Sequence, residues 1–346
     1  MKKCLGCGAV LQTDDISKKG YVKLITQNYC QRCFRLTHYN DLTIDMKNAI
    51  ARKDVLDAIK DIDGLFVLVV DIMAIEAALS RDIINVLKGR DVLLVINKYD
   101  TLPANVNMKK IEIYLEEVVT NKMKGINIID VLLTQKFDPS FREFFVETIK
   151  RLDYEKIVFI GNVNAGKSTI VNKLLEDNRL TVSRYPSTTL DFNQMEIEGY
   201  IMIDTPGLVD DYSVIMYVNQ EELKKVLITD TLKPTIFQLY EPQSYFVEGI
   251  LRLDLYPAKK NASVIFYINN LLNIHRTKVS NADNYFEKHK DELSICMTEP
   301  MTKEIMLDEN CEIVINGLGI VSLKGIEKVV LTTQNKIDIS IRKTVF

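Results

Sequence analysis

The sequence predicts an α/β protein, built on a mostly parallel sheet covered by helices on both faces and followed by a β-rich α+β region. From residue 62 onward, short runs that are apolar on both faces alternate with amphipathic stretches, as in parallel sheets whose strands are joined by helices. After residue 210, closely spaced alternating segments with turn signals between them indicate a β-rich region. The chain has 346 residues, which is too long for one core and indicates two or three domains.

The α/β alternation can be followed element by element. Strands are expected where apolar runs are bounded by turn residues, at residues 65–70, 92–96, 126–133 and 157–160. Helices are expected where apolar residues recur at a spacing of three and four, at residues 75–88, 106–122, 141–150 and 167–177. Glu198 and Gly199 separate two further runs, 192–197 and 200–203, which predicts a hairpin added to the sheet.

The C-terminal region opens with a predicted helix at residues 213–227. Turn signals then separate segments that we interpret as strands, at residues 235–239, 245–255, 263–268, 312–315 and 337–341. A helical insert is expected at residues 282–293. We accordingly expect three domains, at residues 1–53, 54–210 and 211–346.

The composition is that of an ordinary globular protein, with 47% hydrophobic and 26% charged residues and a net charge of −3. It excludes collagen-like, coiled-coil and disordered chains. The longest apolar run, residues 65–70, is far shorter than the roughly 20 residues of a membrane-spanning helix. Because no sustained apolar segment precedes Asp14, no secretory signal is expected. These observations predict a soluble, cytoplasmic protein without a membrane partner.

The strongest motif matches G-x-x-x-x-G-K-[ST] and lies between a predicted strand and a predicted helix. With the threonine that follows, it comprises Gly161, Asn162, Val163, Asn164, Ala165, Gly166, Lys167, Ser168 and Thr169. Glycines let backbone N–H groups wrap phosphate oxygens, and the helix N-terminus adds a positive dipole end. Lys167 is expected to reach the β- and γ-phosphates and Ser168 to ligate Mg²⁺. A glycine-rich turn without a ligand is the alternative.

A second motif, Asn97-Lys98-Tyr99-Asp100, follows a predicted strand. The Asp100 carboxylate can accept from N1–H and the 2-amino group of guanine, whereas adenine offers neither donor. This motif therefore favours GTP over ATP, and it disfavours a P-loop ATPase or kinase. Taken alone, it also fits a solvated polar turn. After another strand come Thr134, Gln135 and Lys136, expected to pack against the guanine, although an ordinary loop is equally consistent.

A third motif, Asp204-Thr205-Pro206-Gly207, also follows a strand. Asp204 is expected to hold the Mg²⁺ shell, and the Gly207 amide to bind the γ-phosphate, as in switch-type NTPases. A plain Pro-Gly turn is the alternative. Upstream, a threonine hydroxyl can complete the Mg²⁺ coordination, and Thr189 is favoured over Thr188. The predicted catalytic residues are Lys167, Thr189 and Gly207.

Along the chain, the two guanine motifs precede the P-loop, whereas a standard GTPase has the P-loop first. This order resembles that of the circularly permuted GTPases of ribosome assembly. The chain is similar to the YqeH-type family within them through its two Cys-x-x-Cys pairs and its C-terminal segments, residues 237–239, 249–254, 275–278 and 316–319. The resemblance covers nearly the whole chain. It implies a monomeric bacterial GTPase that assists maturation of the small (30S) ribosomal subunit, with 16S rRNA, ribosomal proteins or both as partners.

Leu208 occupies the position after the switch glycine, where Ras-like enzymes carry a Gln that orients the attacking water. An apolar side chain cannot orient water. The resemblance implies instead that a potassium ion near Asn164 is associated with activation. We expect slow intrinsic hydrolysis, stimulated by K⁺ and by the ribosomal partner. A loop-stabilising amide is the alternative role for Asn164, and a non-catalytic, guanine-nucleotide-sensing RNA-binding scaffold is the alternative function.

Four of the six cysteines form two Cys-x-x-Cys pairs separated by 22 residues, at Cys4, Cys7, Cys30 and Cys33. In a reducing compartment such pairs indicate zinc rather than disulfides. Four thiolates close a tetrahedral shell, so the predicted zinc site is structural. Four unligated cysteines are the alternative, and His38 is a weaker candidate ligand. Cys296 and Cys311 are isolated and are expected to be buried.

Basic residues cluster in two places. Residues 1–53 hold ten Lys/Arg and four Asp/Glu, a local charge of +6 that leaves −9 for residues 54–346. The first cluster comprises Lys2, Lys3, Lys18, Lys19, Lys23, Arg32 and Arg35, with Tyr21, Tyr29 and Phe34 interleaved. The second comprises Arg252, Lys259, Lys260, His275, Arg276 and Lys278. Either cluster alone fits a solvated face, but both together favour an RNA partner and salt-sensitive binding.

Overall fold

The computed structural model describes most of the chain from residue 51 onward and part of the N-terminal segment. The described residues are 51–136, 138–175, 183–186, 191–258, 261–290, 293, 297–346 and, near the N-terminus, 2, 4, 9–15, 18, 20–22, 24–27 and 30. Only the backbone is described at 183–186, 191 and 220. The chain divides into two compact units. The first comprises Met1–Val70, Arg81–Asn97 and Gly125–Val209, and the second comprises Asp71–Ser80, Lys98–Lys124 and Asp210–Phe346.

A seven-stranded sheet forms the centre of the first unit. Its strands are β1 (Leu65–Asp71), β2 (Asp91–Asn97), β3 (Asn127–Leu133), β4 (Lys156–Ile160), β5 (Ser183–Pro186), β6 (Asp191–Ile197) and β7 (Tyr200–Asp204). The spatial order is β3-β2-β1-β4-β7-β6-β5. The pairs β2/β3, β1/β4 and β4/β7 are parallel, whereas β6 runs antiparallel to both β5 and β7. The predicted parallel sheet with an added hairpin is therefore confirmed.

Helices cover this sheet because their apolar residues recur on one face. The helices of this unit are α1 (Arg52–Ile59), α3 (Arg81–Leu87), α5 (Phe141–Lys150) and α6 (Lys167–Leu175). Phe141, Phe145 and Ile149 of α5 are four residues apart and buried, so they meet the core as one stripe. Phe145 lies 5.8 Å from Phe159 of β4, ring centroid to ring centroid. Leu65, Val67 and Val69 of β1 complete this core cluster.

Two antiparallel five-stranded sheets dominate the second unit. They are ordered β12-β9-β10-β16-β13 and β17-β14-β15-β11-β8. The strands are β8 (Thr235–Leu239), β9 (Gln243–Val247), β10 (Leu251–Pro257), β11 (Ala262–Ile268), β12 (Ile274–Lys278), β13 (Pro300–Met306), β14 (Cys311–Ile315), β15 (Gly319–Lys324), β16 (Ile326–Gln334) and β17 (Ile339–Lys343). The helices are α2 (Ile75–Ala78), α4 (Met108–Lys122), α7 (Gln220–Val226) and α8 (Ala282–His289).

Three predicted elements are wrong in their continuity. The helix expected at 75–88 is two short helices, α2 and α3. They are separated at Leu79 and Ser80, because the backbone dihedral angles of Leu79 are not helical. The helix expected at 213–227 is a 3₁₀ turn, Val214–Met216, and then α7. Asn219 starts that new helix by accepting from the amides of Glu221 and Glu222 in a capping box. The strand expected at 245–255 is two strands, β9 and β10, which turn at Glu248, where φ is 45°.

A buried ionic network joins the early segments of the second unit to its last strand. The Arg342 guanidinium lies 2.8 Å from a carboxylate oxygen of Glu76 and 2.9 Å from one of Glu312. The Tyr114 hydroxyl donates to Glu76. Burial alone would raise the pKa of Glu76, but Arg342 and Tyr114 together hold it below its ordinary value. Burial raises the pKa of Glu312 despite the same guanidinium, so Arg342 is the charge that stabilises both carboxylates.

Among the described residues, no helix combines the length and apolarity needed to cross a bilayer.

Replacing Arg342 with Met is expected to lower the free energy of unfolding by about 3–5 kcal/mol, because two buried carboxylates lose their counter-charge. The measurement is urea denaturation followed by circular dichroism. Lys150→Met is the control, since the Lys150 side chain is 55% exposed beside Glu198 and surface pairs contribute only about 0–1 kcal/mol. Equal effects of the two substitutions would contradict the role given to the network.

Candidate nucleotide-binding site

The P-loop connects the end of β4 to the start of α6. Within it the backbone takes positive φ values at Asn164 (68°) and Gly166 (90°). A Cβ atom at Gly166 would lie 2.0 Å from Nδ2 of Asn97, so this position accepts only glycine. The first helical hydrogen bond of α6 runs from Ile170 N to Gly166 O. The amides of the preceding turn, at residues 167–169, therefore have no acceptor within the helix and are suited to bind an anion.

Lys167 and Asp204 are paired at the mouth of this loop. The Lys167 ammonium donates to the Asp204 carboxylate, and the Lys167 side chain is 6% exposed. Asp204 is the last residue of β7, which pairs with β4, and so the sheet brings the two residues together from 37 positions apart. The predicted phosphate-binding cation and the predicted Mg²⁺-binding carboxylate thus occupy one place and neutralise each other there.

The segment after Asp204 is paired with the P-loop. Val163 N donates to Leu208 O at 2.9 Å, and Leu208 N donates to Gly161 O at 3.0 Å. The Thr205 hydroxyl donates to Phe159 O at 2.7 Å. The Leu208 side chain is completely buried. The leucine at the position of the water-orienting Gln is therefore a packing residue.

Gly207, the predicted γ-phosphate sensor, lies directly against the P-loop. A Cβ atom at this position would be 3.1 Å from Cγ2 of Val163. Every substitution at Gly207 therefore crowds Val163, and the close approach of the two backbones depends on the missing side chain.

Asn97, at the end of β2, reaches the P-loop, although β1 lies between β2 and β4 in the sheet. Its side chain is buried, and Nδ2 donates to Ala165 O at 2.9 Å. Thr134 follows β3, the next strand of the sheet, and its amide donates to Ile96 O at 2.8 Å. Gln135 is held beside it, because its carbonyl accepts from the Lys173 ammonium. The first unit therefore brings Asn97 to the P-loop and places Thr134 beside the end of the same strand.

Lys98 and Asp100 belong to the second unit. Lys98 takes a positive φ of 63° and pairs with Asp71, Nζ to Oδ2, at 2.6 Å. It precedes a 3₁₀ turn, Tyr99–Thr101. Asp100 is half-buried, and among the described residues its buried Oδ1 atom has no hydrogen-bond partner. Such an acceptor costs about 1–3 kcal/mol when left unpaired, which suits a site whose donor is a ligand.

Two further polar atoms of predicted site residues share this property. Among the residues that the structure describes, Oγ1 of Thr134 and Nδ2 of Asn164 are buried and lack hydrogen-bond partners. The oxygen and nitrogen of an Asn amide are exchanged by a flip of the side chain, so Asn164 can present an oxygen at the same place. Each of these buried atoms can accept or donate one more hydrogen bond than the described residues supply.

Several predicted ligands lie outside the described residues, namely Thr188, Thr189, Cys7, Cys33 and His38. The remaining two predicted zinc ligands, Cys4 and Cys30, are buried together, and Cys30 N donates to the Cys4 sulfur at 3.1 Å. Within the described part of the chain, no three His, Cys, Asp or Glu side chains are grouped to hold a metal ion.

Sequence reasoning missed the role of Arg52. This residue pairs with Asp82, Nε to Oδ2, at 2.5 Å. One of its terminal nitrogens, Nη1, donates to Oδ1 of Asn162 at 3.1 Å and to Val209 O at 3.3 Å. Arg52 therefore binds the P-loop and the segment after Leu208 together. Its partners lie 110 and 157 positions away, so no local pattern could have indicated it.

Charges of the second basic cluster are paired within their own unit. The Arg252 guanidinium lies 2.8 Å from Asp254 and 2.6 Å from Asp283, and Lys278 lies 3.1 Å from Glu241. Burial and the nearby His289 lower the pKa of His275, which favours the neutral form of its ring. Lys259 and Lys260 lie outside the described residues. The described part of this cluster therefore offers less free positive charge than its sequence suggests.

Comparison with known proteins gives two family models and several relatives. A model described as "50S ribosome-binding GTPase" matches residues 156–269, and one described as "YqeH-like, C-terminal" matches residues 261–345. The "Uncharacterized protein YqeH" of Bacillus subtilis (strain 168) is 31% identical over 348 residues, covering 94% of this chain and 93% of that protein. "NO-associated protein 1, chloroplastic/mitochondrial" of Arabidopsis thaliana is 24% identical, and the match covers 94% of this chain and 70% of that protein.

Among solved structures, one titled "GDP-bound structure of TM YlqF" is 20% identical, covering 47% of this chain and 64% of that chain with a TM-score of 0.29. The assignment to a family rests instead on the match over nearly the full length to the Bacillus protein and on the two family models. This chain belongs to the YqeH family of GTP-binding proteins.

Proposed function

We propose that this protein is a GTP-hydrolysing switch that assists assembly of the small (30S) ribosomal subunit in the cytoplasm. The observation that carries the proposal is the buried Lys167–Asp204 pair at the mouth of a P-loop in which the amides of residues 167–169 precede the first helical hydrogen bond. Membership of the YqeH family supports the link to ribosome assembly. One matching family model is described by 50S binding, so the identity of the subunit is the point that an experiment must decide.

The residues present fit GTP or GDP with Mg²⁺. The P-loop, residues 161–169, would hold the phosphates, with the Lys167 ammonium on the β- and γ-phosphates. Ser168, Asp204 and Thr189 would hold the magnesium ion, which neutralises phosphate charge when bound. A phosphate at Lys167 competes with its present partner and so frees the Asp204 carboxylate for the metal.

Guanine is assigned to the motif that begins at Asn97. Asp100 would accept from the two guanine donors through a carboxylate whose Oδ1 atom is otherwise unpartnered among the described residues. Lys98 and the loop of Thr134, Gln135 and Lys136 would line the base. The motif order along the chain is that of a circularly permuted GTPase.

Intrinsic hydrolysis is proposed to be slow, because Leu208 is buried and apolar and cannot orient water. A potassium ion near Asn164 would supply positive charge beside the phosphates, and the ribosomal partner would stimulate the reaction further. The second candidate function, a non-catalytic guanine-nucleotide sensor that binds RNA, is favoured by the same burial of Leu208. Turnover of GTP with and without ribosomal subunits separates the two.

The N-terminal segment is proposed to be a zinc ribbon held by Cys4, Cys7, Cys30 and Cys33. The hydrogen bond from Cys30 N to the Cys4 sulfur supports this, because backbone amides commonly stabilise metal-bound thiolates. The excess positive charge of this segment is suited to 16S rRNA or a ribosomal protein.

Asp100→Asn is expected to weaken GDP binding by about 10- to 100-fold, because a charged acceptor of two hydrogen bonds is lost. Binding of xanthosine diphosphate should improve, since its 2-oxo group accepts from the new amide. Isothermal titration calorimetry measures both affinities. Asp153→Asn, at an exposed position, is the control. Unchanged GDP affinity in Asp100→Asn would contradict the assignment of the base site.

Purified 30S and 50S subunits should distinguish the ribosomal partner. We expect binding to 30S that is on the order of tenfold tighter with a non-hydrolysable GTP analogue than with GDP, and weaker as salt rises. Co-sedimentation under the three conditions of GTP analogue, GDP and no nucleotide measures this. Preferential binding to 50S subunits would overturn the small-subunit assignment.

GTP turnover is expected to be on the order of 10-fold faster in KCl than in NaCl, because a bound cation stabilises the charge that develops in the transition state. Asn164→Ser should reduce the ratio of the rates in KCl and NaCl. Phosphate release at matched ionic strength is the measurement. Equal rates in the two salts for the unmodified protein would exclude the potassium site.

A further inference from the structure

The turn that carries Asp100 is hydrogen-bonded by two residues of the C-terminal region. The Thr231 hydroxyl donates to Asp100 O at 2.8 Å, and Leu232 N donates to Thr101 O at 2.9 Å. Within the turn, Thr101 donates to Lys98 O through both its amide, at 2.9 Å, and its hydroxyl, at 2.8 Å. The carbonyls of Asp100 and Thr101 therefore both accept hydrogen bonds from residues outside the turn. These bonds fix the peptide plane between Asp100 and Thr101.

The residues that hold the turn are themselves anchored in the C-terminal sheets. Leu232 is buried, with 3% of its surface exposed. The next residue, Lys233, is bound by both ends of the Asn270 amide, which accepts from Lys233 N at 3.0 Å and donates to Lys233 O at 2.7 Å. Asn270 lies between β11 and β12. The segment of residues 231–233 is thus hydrogen-bonded at one end to the β11–β12 loop and at the other to the backbone of Asp100 and Thr101.

We propose that Thr231 and Leu232 are specificity-determining positioning residues, which hold the Asp100 carboxylate where guanine is recognised. The inference rests on the proposed function of Asp100. The Asp100 side chain branches from the Cα atom that adjoins the peptide plane fixed by these residues, and its buried Oδ1 atom has no hydrogen-bond partner among the described residues. The position of the carboxylate therefore depends on the backbone that Thr231 and Leu232 hold. Guanine specificity in this chain then depends on the C-terminal region as well as on the local motif.

The test compares GDP with inosine diphosphate, which lacks the 2-amino group, in Thr231→Val. Valine keeps the shape of threonine and removes the donor. We expect GDP to bind about 3- to 10-fold more weakly, the effect of one lost hydrogen bond, and inosine diphosphate to bind within about twofold of the unmodified protein, since it uses fewer donors to Asp100. Isothermal titration calorimetry gives the ratio of the two affinities.

Two variants make this result specific. Thr231→Ser keeps the hydroxyl and should restore the ratio. Thr229→Val is the matched control, because the Thr229 hydroxyl is exposed and its hydrogen bond goes to the Asp230 side chain. A parallel loss of both nucleotides in Thr231→Val, or an unchanged ratio, would overturn the inference. Failure of the unmodified protein to prefer GDP over inosine diphosphate would instead overturn the proposed function itself.

Discussion

The hydrogen bond from the Asn97 side chain to the Ala165 carbonyl is the contact on which the geometry of the nucleotide site depends. It joins the end of β2 to a loop 68 positions away. The amide that makes it occupies the volume that any side chain at residue 166 would need. The position of the Asn97 amide therefore requires a glycine at residue 166.

The two charges at the mouth of the P-loop are paired with each other, whereas several buried polar atoms of other predicted site residues have no partner among the described residues. Lys167 and Asp204 neutralise each other, and Leu208 pairs its backbone with both Gly161 and Val163. Among the described residues, Thr134 and Asn164 in the first unit and Asp100 in the second each hold a buried polar atom without a hydrogen-bond partner.

Local sequence patterns were sufficient to predict the strands of the first unit's sheet and to find the order of the motifs along the chain. Strands such as β2 and β4 are apolar on both faces, and their ends are marked by the motifs themselves. Long-range contacts could not be predicted in this way. Neither the burial of Leu208 nor the contact of Arg52 with Asn162 has a signal within a window of sequence. The break at Leu79 was missed because its apolar spacing continues across it.

The Arg342 network gives the protein a cooperative unit that is discontinuous in its gene. Glu76 and Tyr114 lie at least 198 positions upstream of Glu312 and Arg342, yet all four share one buried cluster. A gene fusion that transplanted only residues 211–346 would carry the arginine and one carboxylate while leaving their partners behind. Recombination between relatives can therefore exchange the C-terminal sheets without loss of stability only when helices α2 and α4 are inherited with them.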